Sequence, residues 1–273
     1  MKTKIIILMV FAATLLTNKL FSQGVYAKIN AGYGLEMSSQ SINYFHFTNY
    51  TIDTVSSTYE QVNTSLGKGF TCEGAFGYMF NKNIGTELDI SYLLGTKTKT
   101  KQVLYGSIRN NSLSANMLRI NPSIVIAYGF EKINPYAKLG LIIGFGKIMY
   151  EDDYTSSGGS VLTEKMELNG GIALGLNAGV GVTYNISKRL SLFGEINMVN
   201  LSYSPTKGKL TESNLNGTDR LPNMTTSEKE VNFVNSYTTN VNTPTSHSEP
   251  RQELKESFPF GSVGAVIGLR VNF

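Results

Sequence analysis

Cysteine is nearly missing from this chain. Cys72 stands alone, so no internal disulfide can hold the fold, and it lies too far from the N-terminus to be the lipid-bearing cysteine of a lipoprotein. Histidine is almost as scarce: His46 and His247 are the only two, they fall far apart, and no cluster has metal-ligand spacing. No glycine-rich phosphate loop is present either, so neither a cofactor nor a metal is expected. An excess of one charge is also lacking, because Lys2, Lys4 and Lys19 sit in the leader and leave 21 of the 24 basic residues against 20 acidic ones. That balance excludes the basic field that nucleic acid would need. Beyond the leader no apolar run approaches the roughly 20 residues of a membrane-spanning helix.

The leader itself is specific. Lys2 and Lys4 precede an apolar run from Ile5 to Leu16, the basic segment and short apolar segment of a signal peptide, too short to cross a bilayer. Cleavage is expected near Ser22 and Gln23, although Leu20 stands where a small residue is usual. The chain should therefore divide into a signal peptide, residues 1–22, and an exported domain, residues 23–273.

Within that domain eight segments place apolar residues at every second position, the period of a half-buried strand. Val25, Ala27, Ile29, Ala31, Tyr33 and Leu35 oppose Tyr26, Lys28 and Asn30. Phe70, Cys72, Phe76, Tyr78 and Phe80 oppose Glu73 and Ala75. Ile84, Leu88, Ile90, Tyr92 and Leu94 oppose Glu87, Asp89 and Ser91, and Leu118, Ile120, Ile124, Ile126 and Tyr128 oppose Arg119, Asn121 and Ser123. Pro122, which cannot donate to a ladder, counts against that fourth strand unless a bulge sits there. Ala137, Leu139, Leu141, Ile143 and Phe145 then oppose Lys138, and a run from Ile172 to Tyr184 opposes glycines and Asn177. Leu190, Leu192, Ile196 and Met198 oppose Glu195 more weakly, and the last run, Val263 to Phe273, ends at the C-terminus with Arg270 on its other face.

Each segment reaches the roughly 9 to 11 residues that a tilted strand needs to cross a bilayer. Three connections are short, at 81–83, 131–134 and 187–189, and four are long, centred on 36–67, 97–112, 148–170 and 204–257. Short turns at one end and long loops at the other are the pattern of bacterial outer-membrane barrels. A soluble lipocalin-like barrel shares the eight strands but would be apolar inside. Aromatics decide between them: Tyr78, Phe80, Tyr128, Phe130, Tyr184 and Phe273 lie beside the short turns, and Tyr33, Phe70, Tyr92 and Phe145 beside the long loops, two girdles suited to lipid interfaces. The expected fold is an all-β, eight-stranded antiparallel up-and-down transmembrane barrel with short periplasmic turns and long extracellular loops.

The opposite face would line the lumen. Lys28, Arg119, Lys138 and Arg270 there match Glu73, Glu87, Asp89 and Glu195 one to one, and these groups are expected to pair and close a bore only wide enough for side chains. A narrow ion path, or acid and base chemistry by Glu87 and Asp89, are the sharper alternatives. Ser246, His247 and Glu249 could be drawn as a triad, but sequence neighbours rarely make one. Cys72 should face lipid as a small hydrophobe. The last long loop, rich in Thr and Asn, is expected to be mobile. Tyr44, Phe45, His46, Phe47 and Tyr50 form an aromatic cluster in the first, either packing it onto the rim or offering an adhesive surface.

With these features in place, residues 24–273 resemble the small outer-membrane barrel superfamily of the OmpA membrane domain, OmpX, OmpW and the PorT-like porin-family proteins. The most specific element is the alternating last strand, Val263 to Phe273. The resemblance implies that Leu269, Val271 and Phe273 are read by the barrel-assembly machinery. It implies location in the cell outer membrane, contact with outer-membrane lipids, and an extracellular or secretion-system partner reached through the loops. Members of the superfamily differ in activity, so a non-enzymatic scaffold with interaction loops, a narrow solute pore and an outer-membrane hydrolase or acyltransferase all remain, in that order.

Overall fold

The structure is a computed structural model that describes residues 24–37, 40–42, 47–238 and 246–273. The expected signal peptide, its cleavage site, and Tyr44, Phe45 and His46 therefore lie outside the described residues. Eight long strands make a ring: β1 (Val25–Glu36), β2 (Gly69–Met79), β3 (Ile84–Gly95), β4 (Ser107–Ala127), β5 (Ile133–Thr155), β6 (Ala173–Asn185), β7 (Leu190–Tyr203) and β8 (Ser262–Asn272). Consecutive strands pair antiparallel, and β8 pairs back onto β1 from Tyr26↔Asn272 to Glu36↔Ser262, which closes the ring.

Alternation sets the two faces. Along β3 the residues Ile84, Leu88, Ile90, Tyr92 and Leu94 are exposed outward, whereas Glu87, Asp89, Ser91 and Leu93 are buried inward. The short turns at one end are fixed by side chains that accept backbone N–H groups. Asn81 Oδ1 takes the N–H groups of Asn83 and Ile84 at 2.8 Å each, and Ser187 Oγ takes that of Leu190 at 3.1 Å. Asn134 Oδ1 accepts from Gly129, whose φ of 88° favours glycine.

The other end differs from the expectation. β4 and β5 run for 21 and 23 residues and pair as far as Thr155↔Ile108, well past the alternating segments that mark them in the sequence. The long connections are largely strand as well. Segments Ser57–Gln61, Thr48–Ile52 and Thr98–Leu104 extend the sheet from β4, and Val161–Asn169, Lys207–Leu215, Glu230–Val234 and Arg251–Leu254 extend it from β5. The result is a continuous β-sheet crown above the ring. The expectation of a mobile last loop fails over residues 207–234. Its apolar residues are few, but Val231 and Phe233 alternate along one short strand and reach the core.

Pro122 occupies β4 without a bulge. The ladder to β5 holds one register on both sides, Gly140↔Ser123 and Ile143↔Ile120, and lapses between them, while Leu88↔Pro122 continues on the β3 side. Two buried clusters fill the interior. Tyr26, Met79, Val125, Ala127, Tyr136 and Phe193 close the short-turn end. A larger one, including Phe47, Leu113, Met117, Ile148, Tyr203, Phe233, Phe258 and Phe260, fills the crown. Phe47 is thus a core residue of the crown, and Tyr50 packs against Tyr59 with ring centroids 6.1 Å apart.

Candidate functional site: the ring interior

Between the two apolar clusters lies a band of polar groups on the inward positions of the strands, buried on most of them and half-buried at Glu73 of β2 and Arg270 of β8. At its centre are two lysines and three carboxylates. Lys28 Nζ on β1 is 2.6 Å from Glu87 Oε2 on β3, and Lys138 Nζ on β5 lies 3.3 Å from Glu87, 3.3 Å from Asp89 and 3.4 Å from Glu195. The lysine and Glu87 side chains are at most 2% exposed. Hydrogen bonds from neutral groups add to these contacts: the Tyr26 hydroxyl donates to Glu87 Oε2 at 2.7 Å, the Tyr136 hydroxyl to Glu195 Oε2 at 2.8 Å, and Asn121 Nδ2 to Asp89 Oδ2 at 2.8 Å, while Asp89 Oδ1 meets no donor among the described residues. Lys28 also lies 4.9 Å from the ring centroids of both Tyr136 and Phe193, where cation–π attraction adds to the ion pair.

The pairing is not one to one across all eight charges, which corrects the sequence expectation. Glu73 accepts from Asn30 Nδ2 at 2.8 Å, and Arg270 donates to Asn272 at 2.9 Å and stacks on Tyr26 at 3.7 Å. Among the described residues no ion pair reaches Glu73, Arg119 or Arg270. Alternation places a group on a face, but strand stagger decides which heights meet. Tyr26, Asn30 and Asn121 were legible only as inward positions, and Tyr136, which precedes the alternating run of β5, was missed.

Of the other candidates, Cys72 is exposed on the outer face of β2. His247 is exposed in the crown, and the Ser246 hydroxyl shares its hydrogen bond with Ser248 rather than with His247. The girdle residues Tyr33, Phe70, Phe80, Tyr92, Tyr128, Phe130, Phe145, Tyr184 and Phe273 are exposed outward and Tyr78 is half-buried against Phe80, centroids 5.3 Å apart. Leu269 and Val271 are exposed on the same outer face.

A closed ring with an apolar, aromatic-banded exterior and a charged interior is the arrangement of a protein solvated by lipid, since a soluble ring would reverse the faces. The family described as "Outer membrane protein beta-barrel domain" matches residues 11–233. The chain belongs to this family. Outer-membrane localisation follows from that membership. Solved structures similar to the chain include Neisserial surface protein A (NspA), at 13% identity over 93% of this chain and 100% of that one with a TM-score of 0.36. CarO of Acinetobacter baumannii is 15% identical over 94% and 100% with a TM-score of 0.33, and the outer membrane protease OmpT of Escherichia coli is 10% identical over 93% and 99% with a TM-score of 0.30. No curated protein matches the chain.

Proposed function

We propose that the mature chain is a non-enzymatic, eight-stranded up-and-down transmembrane barrel whose lumen is closed and whose outward crown carries its interactions. The short turns would face the periplasm and the crown the cell exterior, after export by a cleaved signal peptide. The observation that carries the reading is the filling of the bore at three successive levels: an aromatic cluster at the turns, the lysine–carboxylate network, and the apolar core of the crown. An ion entering such a bore would have to displace buried side chains that are already paired. Glu87 and Asp89, the pair best placed for acid and base work, are both held by Lys138, which suits a structural task. The outer face of the crown is instead open and polar, laced by the pairs Lys97–Glu151, Lys147–Glu167, Lys165–Glu212 and Lys209–Glu230, and is the surface available to a partner.

Planar-bilayer conductance of the purified full chain, alone and with residues 204–257 shortened, tests this. Silence in both is expected. Discrete openings in the full chain would replace the closed scaffold by the narrow pore.

A further inference from the structure

Between the lysine–carboxylate network and the apolar core of the crown the interior contains a small polar chamber with about 30 Å³ available to water centres. Glu73, Ser91, Arg119, Asn121, Asn177 and Asn197 contribute to its lining. Arg119 is 5% exposed, and its Nε and Nη2 find no hydrogen-bond partner among the described residues. The same holds for the side-chain oxygens of Asn121 and Asn177. The orientation of Asn121 is not arbitrary, because its Nδ2 donates to Asp89 at 2.8 Å and so commits Oδ1 to accept. The chamber therefore gathers buried donors of one residue and buried acceptors of two others.

We infer that this chamber is a binding site for a cluster of about two water molecules, which hydrate Arg119 and link it to Asn121 and Asn177. Three features select water over an ion. Arg119 and Glu73 both line the chamber, so a cation meets a guanidinium and an anion meets a carboxylate. The unmet groups include donors and acceptors, which one water molecule serves together, whereas a monatomic ion serves only one kind. The volume also fits, at roughly 10–15 Å³ of accessible volume per water. Arg119 thus keeps its charge inside the bore through captured solvent rather than through a carboxylate partner, which explains why it stands outside the ion-pair network.

The inference rests on the closed bore proposed above, because water in an open pore would exchange freely. The test is ¹⁷O magnetic relaxation dispersion on the folded full chain in detergent, which counts waters held for long times, with conductance recorded on the same preparation. About two long-lived waters are expected to disappear in Arg119→Met. Asn177→Leu, which keeps the arginine but removes an acceptor, should lose at least one, and it serves if the arginine variant does not fold. Crystals soaked in bromide should show no anomalous peak beside Arg119. Equal water counts in parent and variants overturn the inference, and so does a bromide peak in the chamber. A silent preparation without the waters fails this inference alone, whereas a conducting one without them fails the closed bore as well.

Discussion

Replacing Lys138 by methionine keeps most of the side chain's apolar length and deletes the ammonium that bridges Glu87, Asp89 and Glu195 at 3.3, 3.3 and 3.4 Å. Afterwards Glu87 retains Lys28 at 2.6 Å, but among the described residues Asp89 keeps Asn121 and Glu195 keeps Tyr136 as neutral donors and neither keeps a cation. Removing one partner of a buried pair costs about 3–5 kcal/mol, because the charge left behind is uncompensated. One ammonium here serves three carboxylates, which argues for the upper part of that range, while the two neutral hydrogen bonds pull it down. A loss of about 3–5 kcal/mol is therefore expected. Equilibrium urea unfolding in detergent, followed by the far-ultraviolet circular dichroism of the strands, measures it; the chain contains no tryptophan to follow instead. The triple variant Lys138→Met, Asp89→Asn, Glu195→Gln leaves neither Asp89 nor Glu195 as a charge needing a partner and should recover a large part of the loss. A change below about 1 kcal/mol in the single variant, or a triple variant no more stable than the single, would refute the reasoning that this network is a charge-compensated plug.

Other positions give sharper, smaller tests. Tyr203→Phe deletes a hydroxyl whose single hydrogen is shared between the carbonyls of Gly146 at 2.7 Å and Gly170 at 2.6 Å, and should cost about 1–3 kcal/mol by urea unfolding, whereas no change would mean the crown is not tied to the ring there. Phe260→Ala empties a fully buried site in the crown core and should cost about 3–5 kcal/mol, with a cost under 1 kcal/mol excluding a packed core. Gly77→Ala would drive a methyl into the ring of Tyr26, whose hydroxyl is fixed on Glu87, so reduced yield of folded protein is expected and normal folding would contradict the packing. In the crown, the backbone N–H and hydroxyl of Thr225 hold the Glu228 carboxyl below the usual glutamate range. A lowered folded-state value stabilises this turn above the unfolded glutamate pKa and is lost as pH falls through the lowered value. A ¹³C titration of Glu228 should thus show a midpoint below that of a free glutamate, and an ordinary midpoint would remove the cap.

The ring was legible because its signal is local. Each strand between the girdles opposes large apolar residues to small or charged ones, and parity alone put Lys28, Glu87, Lys138 and Glu195 on one face. Parity does not give height, so the sequence could not tell that Arg119 and Arg270 miss the carboxylates while Lys138 meets three of them. It also hid Phe193, an aromatic on the charged face of β7 that packs under Lys28. The crown was missed for a different reason. Its strands carry Thr, Asn, Lys and Glu outward, as in Lys207–Leu215, so they lack the apolar outer stripe by which the ring strands were recognised. Composition alone then reads them as loop.

β5 shows why one chain gives both signals. From Ala137 to Phe145 its odd positions are apolar and face outward, while Lys138 points into the bore. Farther along the same strand, with parity unbroken, the outward positions are Lys147, Met149, Glu151 and Asp153, and the inward position Ile148 is fully buried, while the inward Asp152 beyond it is paired with Arg109 at 3.3 Å. β4 changes in the same place: Arg119, Asn121 and Ser123 are its inward residues in the ring, and Leu113, Ala115 and Met117 in the crown. The faces therefore exchange polarity at about the level of Phe145 and Leu118, which pair across the two strands. A strand solvated by hydrocarbon must hide its charges inside, and one solvated by water must hide its apolar side chains there. The exchange marks where the outer solvent changes from lipid to water, and it accounts for the apolar core above the polar network. An outward charge below that level, such as Leu139→Arg, is accordingly expected to cost about 2–4 kcal/mol in folded barrels, whereas Met149→Arg on the same face above it should be nearly neutral. Equal effects at the two positions in lipid-bilayer unfolding would place the boundary elsewhere.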